Sequence, residues 1–254
     1  MVKKRLTDRL LTAMICVFAA VAVSPIVIAV LRSLSGGGRA YFDFFLWNPQ
    51  YVKGLSNSII TSCAASVGAI VIAVPAAYVF SKVDFRGRDL LFYSYIILMM
   101  MPFQVTLLPQ YIVSRSTGIY DTLFAIILPG IFSPFPVFLL TQMMKSIPTE
   151  LTEAVRLDTN STLCVITKVI VPSVRPGIIC AWTLTFTEIW NMVAEPLVLI
   201  ETREKYPLAV ILSEIDRGDV LGFAAACIFL LLPLLIFMFF EEEILEGLEA
   251  YKMK

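Results

Sequence analysis

The chain has 254 residues, of which 58% are hydrophobic and 16% are charged. Soluble domains average about 45–50% apolar and about 25% charged residues, and the apolar excess here lies in long blocks, which is typical of a membrane protein. The 20 basic and 20 acidic residues cancel, so no excess positive charge favours nucleic acid as a partner. Histidine is absent, which excludes Ser-His and Cys-His nucleophiles and histidine zinc or haem sites. The five cysteines lack metal-ligand spacing, so no metal site is predicted.

The apolar blocks predict six membrane-spanning helices, and the predicted fold class is an all-α membrane protein. The approximate ranges are residues 11–31, 55–80, 90–113, 122–144, 177–200 and 219–240. Serine, alanine and glycine are frequent in the second range, which favours close approach of other helices. Prolines interrupt the third and fourth ranges, and they permit bent helices around a cavity.

The first apolar block admits two interpretations. Residues Ala20, Val21 and Ala22 resemble the cleavage site of a secretory signal peptide. The apolar core of a signal peptide is about 7–15 residues long, whereas this block continues to Val30. The length favours a retained spanning helix.

The distribution of lysine and arginine predicts the orientation in the membrane. Six spans place both termini on one side, together with the connections at 81–89 and 145–176. That side holds 13 of the 20 basic residues, and the other side holds 7. The positive-inside rule therefore places in the cytoplasm residues 1–10, the two connections and the short acidic tail at 241–254.

Residues 145–176 form a polar insert between the fourth and fifth predicted spans. Glu150 and Glu153 suit the first turn of a helix, because carboxylates are favourable near a helix N-terminus. One face of this helix carries Leu151, Ala154, Val155 and Asp158.

A second helix is predicted in the same insert. Thr159 and Asn160 interrupt the first helix, and an amphipathic run follows at 162–171 until Pro172 stops it. The pattern predicts a helix-turn-helix on the cytoplasmic face, resting either on lipid headgroups or on a protein partner. A protein partner is favoured by the mixed charges of Glu150, Glu153, Arg156 and Asp158.

The insert resembles the cytoplasmic EAA loop of ABC-importer permeases. The resemblance rests on two segments, EAVRLDTN at 153–160 and VIVPSVRPG at 169–177. The family pattern is matched at Glu153, Ala154, Asp158 and Pro172. It is not matched at Val155, Thr159, Asn160 and Val171. Thr159 stands where the family has a turn glycine, and Asn160, which tolerates a left-handed backbone, is expected to take over the turn.

Further segments are similar to the carbohydrate branch of this binding-protein-dependent transport family, the maltose-type (MalG-like) permeases. They are VDFRGRD at 83–89, MPFQVTLLPQY at 101–111 and the pair Trp190-Asn191. Glu188 and Met192 depart from the pattern around that pair. The resemblance covers about residues 55–240.

The resemblance implies a six-helix MetI-like fold and an inner-membrane permease that passes a sugar or oligosaccharide by alternating access. It also implies a second permease subunit, two ATPase subunits that hold ATP and Mg²⁺, and an extracellular solute-binding protein. This chain carries no Walker motif, so it is expected to be a transport subunit and not an enzyme. The alternatives are a permease for another solute such as a polyamine, an integral-membrane enzyme, or a scaffold that recruits an ATPase.

The resemblance also implies that the insert docks on one ATPase. The residues assigned to this coupling site are Glu150, Glu153, Ala154, Arg156, Asp158, Asn160 and Pro172. For Asp158 the alternative is a cap of the following helix.

Polar residues inside the predicted spans are candidates for the solute pathway. Glu188 and Glu195 are about two helical turns apart, so a straight helix would place them on one face. The full set of candidates is Gln104, Glu188, Trp190, Asn191 and Glu195. The alternative is that neighbouring helices satisfy the carboxylates, or that Glu195 lies at the outer interface.

Overall fold

The computed structural model describes residues 2–35, 38–158, 161–215 and 219–252, with the side chains of all but 2–10, 149, 154, 157, 158 and 248–252. Every regular element in these ranges is helical. The first seven are α1 (Val2–Leu34), α2 (Arg39–Leu46), α3 (Pro49–Lys82), α4 (Arg88–Met99), α5 (Phe103–Thr117), α6 (Phe124–Ile131) and α7 (Pro134–Lys145). The others are α8 (Thr149–Asp158), α9 (Thr162–Val165), α10 (Val171–Ser173), α11 (Arg175–Trp190), α12 (Ala194–Leu199), α13 (Leu208–Ser213) and α14 (Val220–Lys252).

Four helices in the described ranges are long and apolar enough to cross a membrane. They are Leu11–Leu34, Pro49–Lys82, Phe124–Lys145 and Val220–Gly247. Two bent pairs have a spanning composition when each is taken together, namely α4 with α5, bent by 96°, and Thr162–Ser173 with α11, bent by 80°. The described chain therefore contains four to six spanning units.

Helix α3 is the centre of the packing, since it contacts α6, α7 and α11. Its small residues Ser62, Ala65, Ser66 and Ala69 are buried, as their frequency in the sequence predicts. Helix α6 approaches α3 closely at Gly130, where an added Cβ would lie 2.9 Å from Ala65 Cβ.

Prolines account for the bends in the third and fourth apolar blocks. Pro102 precedes α5 at the 96° bend, and Pro134 begins α7 directly after a break at 132–133. Proline has no N–H to continue the hydrogen-bond ladder of a preceding helix. The bent helices leave room for a cavity between them, which the proline pattern predicts.

The fifth apolar block is not one continuous helix. Helix α11 ends at Trp190, and α12 begins at Ala194 after a short non-helical link. Asn191 Nδ2 donates to the carbonyl oxygen of Thr187 (2.8 Å), and Pro196 has no N–H to donate to Met192. Both features stop the helix, so the range 177–200 contains two helices that meet at an interruption.

The last helix extends beyond the predicted span. The backbone of Phe240 is non-helical (φ −120°, ψ 17°), which marks a kink, and the helix then continues to Lys252. Ile244 is buried against Leu139, Cys180 and Ala181. Residues 241–252, predicted as a short acidic tail, are therefore helical, and their first turn packs on α7 and α11.

Candidate functional site

The insert folds into two helical parts. The first is α8, and the second runs from α9 through a π-helical turn at Ile166–Ile170 to α10. Ser161 caps the second part by accepting from the backbone N–H of Cys164 (3.4 Å). The predicted turn residues, Thr159 and Asn160, lie outside the described residues.

Two side-chain hydrogen bonds fasten the insert to the last turns of α3. Lys82 Nζ donates to the carbonyl oxygen of Ile147 (2.5 Å), and Arg156 Nη2 donates to the hydroxyl of Tyr78 (2.9 Å). Tyr78 is buried, and it shares a cluster with Val165, Ile170 and other apolar residues of α3, α7 and the insert. The insert is therefore packed on the ends of α3 and α7.

The predicted coupling residues divide into three groups. Glu150, Glu153 and Pro172 are exposed, whereas the exposed Arg156 is engaged with Tyr78 inside the chain. The side chains of Ala154 and Asp158 lie outside the described set, as does Asn160. Two leucines of the insert that were not among the predicted site residues are also exposed. Leu151, on the predicted apolar face of α8, is 51% exposed, and Leu163 is 70% exposed.

A cavity of about 390 Å³ lies between α4, α5, α6, α11 and α12. Its lining includes both predicted carboxylates, Glu188 from α11 and Glu195 from α12. The two side chains thus reach the same space from either side of the interruption at 191–193. We call this space the polar cavity.

Other groups complete the polar wall. Gln110 and Thr106 line the cavity from α5, and Thr185 lines it from α11, one turn before Glu188. The Thr185 side chain is 1% exposed, and its hydroxyl has no hydrogen-bond partner among the described residues. The rest of the lining is uncharged and largely apolar, with Met99, Phe132 and other residues.

The remaining pathway candidates lie outside the cavity lining. Gln104 and Asn191 are exposed, and the Asn191 amide is bonded to its own helix. Trp190 is fully buried and stacked on Phe229 at a centroid distance of 4.8 Å. The indole therefore fills the packing between α11 and α14.

A second polar cluster joins two loops at the opposite end of α3 from the insert. The Asp121 carboxylate accepts from the backbone N–H and hydroxyl of Thr202 (2.8 and 2.7 Å) and from Lys205 Nζ (2.6 Å). We call this the Asp121 clasp. The hydrogen bond from Lys205 contributes most to holding the pKa of the Asp121 carboxyl well below its usual range, followed by those from Thr202. No motif in the sequence indicates this cluster.

The loop that follows α12, at 200–207, is also held by α3. Asn57 Nδ2 donates to the carbonyl oxygens of Glu204 and Tyr206 (3.1 and 3.2 Å), and Ser58 Oγ accepts from the backbone N–H of Leu208 (2.8 Å). Lys53 pairs with the Glu204 carboxylate (2.9 Å) and lowers the pKa of that carboxyl. The segment that follows α12 is thus fixed to α3 and, through the Asp121 clasp, to the end of α5.

Apolar helices of spanning length, a cavity with carboxylates between bent helices and an exposed insert at one end together define a membrane transport subunit. Residues 69–247 match the family described as binding-protein-dependent transport system inner membrane component. The chain belongs to this family, which confirms the resemblance seen in the sequence.

Named relatives and one solved structure agree with this assignment. The arabinooligosaccharides transport system permease protein AraQ of Bacillus subtilis is 27% identical, over 87% of this chain and 76% of AraQ. The trehalose transport system permease protein SugB of Mycobacterium tuberculosis is 27% identical, over 80% of this chain and 77% of SugB. A chain of a bacterial ABC transporter that imports the acidic polysaccharide alginate shares the fold, with a TM-score of 0.80 and 22% identity over 93% of this chain and 95% of that chain.

These findings place the protein among the permease subunits of ABC importers. It is an inner-membrane transport subunit with a MetI-like helical fold and not an enzyme. Members of this family work with a separate ATPase subunit and with a solute-binding protein.

Proposed function

We propose that this permease imports a sugar or an oligosaccharide by alternating access, together with a second permease subunit. The proposal is supported by the names of the relatives AraQ and SugB, both of which are saccharide permeases. The polar cavity supports it as well, because carboxylate and amide oxygens accept hydrogen bonds from hydroxyl groups. In this proposal Glu188 and Glu195 line the solute pathway, whereas Gln104, Trp190 and Asn191 do not.

The topology we propose has six spans, in which α4 with α5 forms the third and α11 with α12 forms the fifth. The count of 13 basic residues against 7 then places both termini and the insert in the cytoplasm. The Asp121 clasp would lie on the extracellular side, and lipid would surround the exposed apolar side chains of α1.

The insert is proposed as the docking site for one of two ATPase subunits, in which ATP and Mg²⁺ are bound. The observation that carries this step is the exposed surface of Glu150, Leu151, Glu153 and Leu163. A partner that covers the leucines would bring its own polar groups against the carboxylates. Ala154, Asp158, Asn160 and Pro172 are proposed as further parts of this site on the family resemblance alone.

Coupling through this surface requires that the ATPase bind the two permease states with different affinity, since a ligand of equal affinity shifts no equilibrium. The two hydrogen bonds between the insert and α3 would connect binding of the ATPase to the position of α3. A displaced insert would pull on the last turn of α3 through Lys82 and Arg156.

The proposal is tested by Glu153→Lys in the reconstituted importer. Reversing an exposed interface charge is expected to reduce solute uptake per ATP hydrolysed by about tenfold, since like charges across an interface cost several kcal/mol. Uptake and ATPase rate are measured together in liposomes. The matched control is Glu201→Lys, which reverses an exposed charge beside the Asp121 clasp, at the opposite end of α3 from the insert. Normal uptake by an assembled Glu153→Lys complex would contradict the docking site.

A further inference from the structure

The charges around the polar cavity are all of one sign. The lining holds two carboxylates, Glu188 and Glu195, and includes no lysine or arginine from the described residues. Neither carboxylate has an ion-pair partner in the described part of the chain. Both carboxyl groups therefore face the cavity without a cationic side chain beside them.

We propose that the polar cavity accepts an uncharged, hydroxyl-rich solute and rejects anionic solutes such as uronic acid oligosaccharides. The inference rests on the proposed import of a saccharide, and it adds the charge class of that saccharide. An ionised carboxylate only accepts hydrogen bonds, so it pairs with hydroxyl donors. A carboxylate on the solute would add a third negative charge to the same space.

Thr185 is a further polar residue in this wall. Its hydroxyl is 1% exposed and has no partner among the described residues. Buried side-chain polar atoms in folded proteins are nearly always hydrogen-bonded, and a threonine within a helix usually bonds a carbonyl of the preceding turn. Thr185 lines the cavity one turn from Glu188, so it adds an uncharged polar residue beside that carboxyl group.

The opposite wall and the size of the cavity fit the same class of solute. Gln110, on α5, both donates and accepts hydrogen bonds. The methionine and phenylalanine side chains between the two walls offer apolar surface to the carbon-bound hydrogens of a sugar ring. The volume of about 390 Å³ lies within the range of small-molecule sites, about 300–1,000 Å³.

The charge of the cavity can be measured without knowing the solute. In the complete importer in membrane vesicles, Met192→Cys places a thiol in the cavity lining. It is reacted with two methanethiosulfonate reagents of similar size, one carrying trimethylammonium and the other sulfonate. The native cysteines lie outside the lining, and the complex without the new thiol gives the background.

At Met192→Cys we expect the ratio of the cationic to the anionic reaction rate to exceed the same ratio for a free thiol by at least about tenfold. Two carboxylates within several Å would produce a preference of this size. Adding Glu188→Gln and Glu195→Gln should bring the ratio back towards that of the free thiol. The control position is Val198→Cys, on the same helix as Glu195 but outside the lining, where little preference is expected. Leu98→Cys, also in the lining, replaces Met192→Cys if that variant does not assemble. Equal rates at the cavity position would overturn the inference.

The solute class is tested by saturation-transfer NMR on the same complex without its binding protein. The probes are arabinotriose and trigalacturonate. Arabinotriose should bind the native complex, whereas trigalacturonate should bind only after both glutamates are changed to glutamine. Trigalacturonate binding to the native complex as strongly as arabinotriose would overturn the inference.

The two proposals fail in different ways. Import of a neutral saccharide by a complex with equal reagent rates overturns the charge inference and leaves the proposed function standing. A cation-favouring cavity in an importer that takes up no saccharide overturns both the proposed function and the solute class.

Discussion

The bond between Arg156 and Tyr78 is the contact through which we expect α8 to act on α3. Tyr78→Phe removes only the hydroxyl that accepts from Arg156 Nη2, and it leaves the buried ring in the apolar cluster. The guanidinium is exposed, so water solvates it after the change and no buried charge is left unpaired. The variant therefore isolates one hydrogen bond.

The expected magnitude follows from this exposure. A hydrogen bond to a charged group contributes about 1.5–3 kcal/mol net, and because water solvates the exposed Arg156 after the change we expect a smaller loss, about 1 kcal/mol, here. A difference of that size is about a fivefold increase in the fraction of molecules in which α8 is detached.

Hydrogen exchange of the α8 amides measures that fraction in the purified complex. Exchange across residues 150–158 should be about fivefold faster in Tyr78→Phe. The matched control is Tyr95→Phe, because Tyr95 packs against the same cluster and its hydroxyl has no partner among the described residues. Unchanged exchange in Tyr78→Phe, or equal acceleration in both variants, would refute the reasoning.

Two further predictions concern the other contacts of α3 and its neighbours. Asp121→Asn keeps a residue that tolerates the left-handed backbone (φ 56°) but loses the charge that binds Lys205, so trypsin should cleave after Lys205 about tenfold faster. Because the pKa of the Asp121 carboxyl is lowered, its contribution is complete above its ordinary value of about 3.9 and is lost only below it, so the difference should be the same at pH 6 and pH 8. Equal cleavage of both proteins would show that the Asp121 clasp does not hold the loop. Gly130→Ala should destabilise the complex by about 1–3 kcal/mol in thermal unfolding, and Ala65→Gly should partly restore it; no rescue would contradict the close contact.

The membrane class and the helical content could be predicted because they depend on continuous apolar blocks. The helix ends were less predictable. Asn191 and Pro196 are recognisable signals for a break, but they lie inside an apolar stretch of spanning length. The length of that stretch was given more weight, so one span was predicted. Phe240 carries no such signal. Its kink lies at the end of the apolar block, and Ile244, four residues further on, packs against other helices.

Glu188 and Glu195 both line the polar cavity, although the geometry predicted for them was incomplete. A straight helix was expected to put Glu188 and Glu195 on one face, whereas the structure brings them together across an interruption. Trp190 was selected as an aromatic ring for sugar stacking and as part of the Trp190-Asn191 pair, and the structure packs this ring on Phe229. Arg156 was assigned to a partner because it is charged and on the insert, and its bond to Tyr78 joins positions 78 residues apart, which no local pattern encodes.

Helix α3 runs without a break from Pro49 to Lys82, about 51 Å at 1.5 Å per residue. Its first turns hold the loop at 204–208, and its last turns hold the insert. The relative orientation of these two sets of contacts therefore depends on the number of helical residues between them. Adding a single residue midway would rotate one set by about 100° against the other and shift it by about 1.5 Å. The number of residues in α3 thus fixes both the distance and the rotation between its two sets of contacts. Substitutions along α3 are therefore expected to be far better tolerated than insertions or deletions.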